Sequence, residues 1–136
     1  MNESFTDPQD MKKSIYNFAD NLRDAMAIGQ QLSLTSTYTK IDNVVVAGMG
    51  GSAIGGDVNR MLLRDELNVP IYISRNYQVP AWAKAHTLVI ASSYSGGTEE
   101  TLSAVADARA KGCQICGITT GGELLDVLQK NDCDTV

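Results

Sequence analysis

Hydrophobic positions change their spacing near residue 41, and this change separates two groups of predicted elements. Before it, apolar residues recur every three or four positions, which is typical of an amphipathic helix. These residues are Met11, Ile15, Phe18, Leu22 and Met26. The pattern predicts a helix over residues 7 to about 34, started by Asp7-Pro8 and broken at Gly29. After residue 41, short apolar runs alternate with helical spacing, which predicts a parallel sheet wrapped by helices.

The alternating part of the chain predicts about five strands joined by helices. The strands are expected at residues 44–47, 69–74, 87–92, 113–119 and 134–136, and the helices at 52–67, 98–111 and 123–130, with at most a helical turn at 82–85. The first run is β-branched and has no polar alternation, as expected of a strand buried on both faces. The expected fold class is therefore α/β, a three-layer α/β/α sandwich with a parallel sheet, flavodoxin-like or Rossmann-like.

A glycine-rich loop follows the first predicted strand and opens the next helix. Gly48, Gly50 and Gly51 lie there, with Ser52 directly after them. Glycine lets the backbone turn sharply and approach a ligand, and a helix N-terminus presents free N–H groups and partial positive charge. An anion such as phosphate is the expected occupant.

Hydroxyl side chains are concentrated after the third predicted strand. Ser93, Ser95 and Thr98 lie beside Gly96 and Gly97, at the start of another helix. Such a loop can bind phosphate through hydroxyl and backbone donors without a basic side chain. The alternative is simple helix capping by Ser95 or Thr98, with Glu99 and Glu100 complementing the helix dipole. Because both glycine loops follow parallel strands, we expect them at one edge of the sheet and predict a phosphate site there.

A third turn, at residues 119–122, follows the fourth predicted strand on the same edge. Its sequence is Thr-Thr-Gly-Gly. It either lines the site or is an ordinary strand-to-helix turn, and the residues favour the second interpretation.

Composition narrows the class of protein. A net charge of −5 argues against nucleic acid as a partner, and no apolar run approaches membrane-spanning length, so we expect no membrane partner and a cytoplasmic location. The three cysteines indicate a reduced protein. Cys113 and Cys116 match C-x-x-C, but in a strand their side chains point to opposite faces, which argues against a redox pair or metal site. His86 is expected on the sheet edge opposite the loops.

Four stretches carry a resemblance to a known family. They are G-M-G-G-S-A-I-G-G-D from Gly48, S-Y-S-G-G-T-E-E-T-L from Ser93, R-N-Y-x-x-P from Arg75 and I-T-T-G-G-E-L from Ile118. Together they resemble the sugar isomerase (SIS) domain, and more closely the N-terminal half of the bifunctional phosphoglucose/phosphomannose isomerases. The resemblance implies that residues 41–136 form a SIS domain and that residues 1–40 form a helical segment packing on that domain or on a partner.

The resemblance also implies a ligand and a reaction. Gly50, Gly51 and Ser52 would lie near the sugar, and Ser93, Ser95 and Thr98 would hold the phosphate. The family interconverts glucose 6-phosphate or mannose 6-phosphate with fructose 6-phosphate through a cis-enediol, without metal or other cofactor.

Catalytic residues are not assigned by the resemblance. In the family, the base and the groups that stabilise the enediolate are a Glu, a His, a Lys and an Arg beyond the equivalent of residue 136, and the His comes from a neighbouring subunit. We therefore expect this chain to bind phosphate without the catalytic groups, and to form a homodimer or larger self-association. Glu99 and Glu100 are the candidate bases within the chain, and Glu100 is the better of the two, but a role in complementing the helix dipole already explains both. One departure from the family is Gly97, where the family usually has Asn. The sequence therefore does not determine how well ordered this loop is.

Two other functions are compatible with the residues. Gly48-x-Gly50-x-x-Ala53 fits the fingerprint of dinucleotide-binding domains, and Arg75 after the second strand would suit the 2′-phosphate of NADP. The serine-rich loop has no role in that function. The remaining alternative is a non-catalytic module that senses phosphosugars.

Overall fold

The computed structural model describes residues 7–136, and contacts divide the chain into two units, Met1–Ser33 and Leu34–Val136. The first unit contains α1 (Met11–Tyr16) and α2 (Phe18–Gln31). The Asp7 carboxylate accepts hydrogen bonds from the N–H groups of Met11 (2.9 Å) and Lys12 (2.8 Å), so it starts α1 as expected. Neither helix contains a buried residue. What these helices pack on stays a prediction.

The helix break was predicted at the wrong residue. The two helices separate at Asn17, whereas Gly29 lies inside α2. A glycine costs a helix only about 1 kcal/mol relative to alanine, so it weakens a helix without ending it.

The second unit is a five-stranded parallel sheet with helices on both faces, which confirms the fold class. Its elements are β1 (Asn43–Gly48), α3 (Gly50–Leu62), β2 (Ile71–Ser74), β3 (Thr87–Ser92), α4 (Glu99–Ala110), β4 (Gln114–Ile118), α5 (Gly122–Lys130) and β5 (Asp134–Thr135). The clearest difference from the expectation is that turns replace the end of the helix predicted over 52–67. No helix within residues 7–136 is long and apolar enough to cross a membrane.

The hydrophobic core lies mainly on one face of the sheet. There, Val45 and Val89 meet Val105 of α4 and Leu128 of α5 in one buried cluster. The other face is covered by α3, whose Gly56 lies so close to β1 that an added Cβ would approach the Val46 side chain to 3.0 Å. Val44 to Ala47 are all buried, so the first strand is covered on both faces as predicted.

The strand order is β2-β1-β3-β4-β5. The connection from β1 leads to one side of the sheet and the connection from β3 leads to the other. In sheets of this order, the ligand crevice lies where the direction reverses, between the carboxyl ends of β1 and β3. The order differs from that of the classical dinucleotide-binding domain, in which β1 neighbours β4 rather than β3.

The edge strand β5 is tied to the chain that precedes β1. The Asp134 carboxylate accepts hydrogen bonds from the Thr35 N–H (2.8 Å), the Thr35 hydroxyl (2.7 Å), the Ser36 N–H (3.1 Å) and the Tyr38 hydroxyl (2.7 Å). These donors, led by Thr35, hold the pKa of Asp134 well below its usual range. We refer to these four residues as the Asp134 cluster.

Candidate functional site

The two glycine loops begin side by side at the carboxyl edge. Gly48 ends β1 and pairs in register with Ser92 at the end of β3. A Cβ added to Gly48 would lie 2.7 Å from the Ser92 carbonyl oxygen, so only glycine lets the two strand ends approach this closely. The structure therefore brings the loop of residues 49–52 and the loop of residues 93–98 together at the switch point of the sheet.

The first loop leaves its backbone accessible. Gly50 has a positive φ of 50°, and neither Gly50 nor Gly51 has a neighbour within 4 Å of an added Cβ. Within the part of the chain that the structure describes, no side chain caps α3, and the half-buried Ser52 hydroxyl has no hydrogen-bond partner. The backbone of this loop therefore has open space around Gly50 and Gly51.

The second loop, residues 93–98, is called the serine loop below. Its buried Ser93 hydroxyl lies 2.8 Å from the Thr98 hydroxyl and accepts a hydrogen bond from the Gly96 N–H at 3.2 Å. Ser95 is exposed, and its hydroxyl accepts a long hydrogen bond of 3.3 Å from the Gly97 N–H. The structure thus brings Ser93 and Thr98 together inside the loop and leaves the Ser95 hydroxyl at the surface.

Helix capping does not account for these hydroxyls. Thr98 occupies the N-cap position of α4, but it makes no side-chain hydrogen bond to the helix, and the capping interpretation is wrong. The N–H groups of a first helical turn lack partners within the helix. At α4 three hydroxyls stand beside such a turn without satisfying it, so its donors are free for an anion from outside the chain.

The acidic residues of this turn face the neighbouring loop after β2. The charges of Glu100 and, less strongly, Glu99 raise the pKa of Tyr77 in that loop. Arg75, in the same loop, forms an ion pair with Asp57 of α3. An arginine held in this way differs from the free arginine that the NADP alternative requires.

The third turn supports the serine loop, a role that the sequence did not reveal. Thr120 donates its hydroxyl (2.6 Å) and its N–H (3.2 Å) to the Tyr94 carbonyl, and the Leu124 N–H donates to the Gly96 carbonyl at 2.8 Å. The only signal in the sequence was the position of two threonines and two glycines after the adjacent strand. We refer to residues 119–122 as the threonine turn.

Other candidate residues lie away from this edge. His86 is half-buried before β3, at the amino-terminal edge as predicted. The three cysteines are free thiols, and burial raises the pKa of Cys116 to about 11 and also raises the pKa of Cys113. Within residues 7–136, no group of His, Cys, Asp and Glu could hold a metal ion. Thiols with raised pKa values are poor nucleophiles, so this C-x-x-C does not resemble a reactive pair.

Comparison with known proteins finds relatives that are phosphosugar isomerases. It is 46% identical over 126 residues to the bifunctional phosphoglucose/phosphomannose isomerase of Caldicellulosiruptor bescii, covering 93% of this chain and 37% of that protein. It is 41% identical over 93 residues to the enzyme of the same name from Thermoplasma acidophilum, covering 68% of this chain and 28% of that protein. The chain thus spans about a third of the length of these relatives. No family model matches it.

A solved structure gives the same fold. The C-terminal domain of glucosamine-fructose-6-phosphate aminotransferase from Francisella tularensis superposes with a TM-score of 0.66, covering 92% of this chain and 38% of that chain. Sequence identity is 17%, so this similarity concerns the fold alone. With the paired loops, the strand order and these homologues together, the chain belongs to the sugar isomerase (SIS) domain family and matches part of the bifunctional phosphoglucose/phosphomannose isomerases.

Proposed function

We propose that this chain binds the phosphate of a hexose 6-phosphate in the serine loop, as the SIS domain of an isomerase that interconverts glucose 6-phosphate or mannose 6-phosphate with fructose 6-phosphate. One observation carries the proposal. The first turn of α4 has no side-chain cap, although Ser93, Ser95 and Thr98 lie beside it at the switch point of the sheet. A phosphate would complete the hydrogen bonding of this turn.

Each hydroxyl has a distinct role in this proposal. Ser95 is exposed and would donate directly to a phosphate oxygen. Thr98 is half-buried and shares a hydrogen bond with Ser93, so this pair would both contact the phosphate and keep the loop in shape. Gly50, Gly51 and Ser52 would lie against the sugar, because their loop begins beside the serine loop and leaves room for a close approach.

The isomerisation requires more than a phosphate site. It needs a base that moves a proton between C1 and C2 and a donor that stabilises the enediolate. We propose that these groups come from outside residues 1–136, because Glu99 and Glu100 stand in the first turn of α4, where their charges complement the helix dipole. The chain alone is then expected to bind hexose phosphate without turning it over, and no metal or cofactor has a role.

The test is a thermal-shift and calorimetric titration with fructose 6-phosphate, glucose 6-phosphate, mannose 6-phosphate, inorganic phosphate and NADPH. A ligand that binds only the folded chain raises its melting temperature by mass action. We expect the hexose phosphates to act and NADPH to have no effect. Stabilisation by NADPH alone, or by none of the five, contradicts the proposal.

The Ser95→Ala variant sharpens this test. Losing a hydrogen bond to a charged phosphate oxygen costs about 1.5–3 kcal/mol, so affinity should fall about tenfold or more. Ser103→Ala is the matched control, because Ser103 lies inside α4, beyond the first turn that would face the phosphate. Equal affinities of the two variants would remove Ser95 from the site.

A further inference from the structure

The serine loop is held from outside by the threonine turn as well as by its own hydroxyls. The Tyr94 carbonyl accepts two hydrogen bonds from Thr120, and the Gly96 carbonyl accepts one from the N–H of Leu124 in α5. The carbonyls of Tyr94 and Gly96 therefore both point towards the connection between β4 and α5.

The direction of these carbonyls fixes the direction of two donors. All peptide bonds of the described chain are trans, and in a planar trans peptide the C=O and the following N–H point in opposite directions. The N–H groups of Ser95 and Gly97 must therefore point away from the threonine turn. Within residues 7–136 the Ser95 N–H has no hydrogen-bond partner, and the Gly97 N–H has only the long contact with the Ser95 hydroxyl.

Steric fit makes this support rigid. Gly96 and Gly122 both have positive φ values, 67° and 70°. An added Cβ on Gly96 would lie 1.7 Å from the Gly121 carbonyl oxygen, and one on Gly122 would lie 2.5 Å from the Ser95 carbonyl oxygen. The two loops touch backbone to backbone, so a displacement of one is passed to the other.

We infer that Thr120 is a positioning residue, which orders the serine loop by holding the Tyr94 carbonyl and so directs the Ser95 N–H towards the phosphate. The identity of the ligand in this inference rests on the proposed function, whereas the ordering of the loop by Thr120 does not. An ordered loop binds more tightly because it loses less conformational freedom when the ligand arrives. Thr120 is exposed, so its replacement is compatible with folding.

The test compares Thr120→Val, Thr120→Ser and Thr37→Val with the wild-type chain. Valine keeps the shape of Thr120 and removes the hydroxyl, and serine keeps the hydroxyl. Thr37 is an exposed threonine outside the loops and serves as the control. The readouts are the affinity for fructose 6-phosphate, the urea midpoint, and NMR order parameters of residues 94–98 without ligand.

We expect Thr120→Val to bind about fivefold to tenfold more weakly, which is the effect of one hydrogen bond. Its order parameters should fall towards the flexible range below about 0.6, and the urea midpoint should stay close to that of Thr37→Val. Thr120→Ser should restore both the affinity and the order parameters. A lower urea midpoint without a change in the order parameters would show that Thr120 stabilises the fold and does not position the loop.

The two proposals fail differently. Unchanged order parameters and unchanged affinity in Thr120→Val would overturn the positioning role. If the wild-type chain does not bind fructose 6-phosphate, the proposed function fails, while lower order parameters in Thr120→Val would still support the ordering of the loop by the threonine turn.

Gly122→Ala tests the same contact by steric means. Its Cβ would push the Ser95 carbonyl, so the affinity should fall further than in Thr120→Val. Retention of wild-type affinity in a folded Gly122→Ala variant would contradict the rigid contact between the loops.

Discussion

The two edges of the sheet use similar polar residues in opposite ways. At the edge strand β5, the hydroxyls of Thr35 and Tyr38 donate to Asp134, so the hydrogen bonds remain within the protein. At the carboxyl edge, Ser95 and the first turn of α4 keep donors that no side chain takes. The first arrangement stabilises the fold, and the second leaves binding capacity for a ligand. Variants at the two edges should therefore separate stability from binding.

The largest expected effect comes from Gly96→Ala, which should damage both properties. The added methyl group would overlap the Gly121 carbonyl oxygen at 1.7 Å, and φ is 67° at this buried position. We expect a loss of roughly 3 kcal/mol or more in the free energy of unfolding. Urea denaturation measures it, and phosphate binding should disappear in the same variant. A loss below about 1 kcal/mol would mean that the loops separate easily.

Tyr38→Phe should change stability alone. It removes the 2.7 Å hydrogen bond to Asp134 at the edge away from the site. We expect a loss of about 1 kcal/mol in the free energy of unfolding, and no change in affinity for hexose phosphate. Weaker ligand binding in this variant would show that the two edges are coupled.

The stability difference between the wild-type chain and Tyr38→Phe should depend on pH. The pKa of Asp134 is lowered in the folded chain, so its contribution is complete above the unfolded pKa of about 3.9 and is lost as pH falls through the folded pKa. The difference in urea midpoint between wild type and Tyr38→Phe should be constant from pH 5 to 7 and shrink below about pH 4. A difference that persists unchanged in acid would show that Asp134 is not the charged acceptor.

The smallest expected effect is a gain from Gly97→Ala, the matched control for Gly96→Ala. Gly97 is exposed, has no neighbour within 4 Å of an added Cβ and does not have a positive φ. Alanine should stabilise the folded chain by about 0.4–1 kcal/mol, because it restricts the unfolded chain. A destabilised Gly97→Ala variant would mean that this position needs glycine, despite the space around it.

The regular elements of the second unit follow from local patterns. β3 was predicted at its observed bounds, because Thr87 and Ser92 mark both ends of a continuous apolar run. The predicted helix over 52–67 was less accurate at its end, where turns replace it after Leu62. Periodicity records which face is apolar, and it carries little information about where the last helical hydrogen bond forms.

By itself, the sequence determined the α/β class and the two glycine loops, since both depend on local spacing and on the conformational freedom of glycine. Only the tertiary structure decided how the hydroxyls are used. Thr98 could have capped α4, and its pairing with Ser93 depends on the loop path. Thr120 is 26 residues from Tyr94 in the chain, and the sheet makes them neighbours by placing β4 beside β3. Contacts of this kind depend on strand order, which a local pattern does not encode.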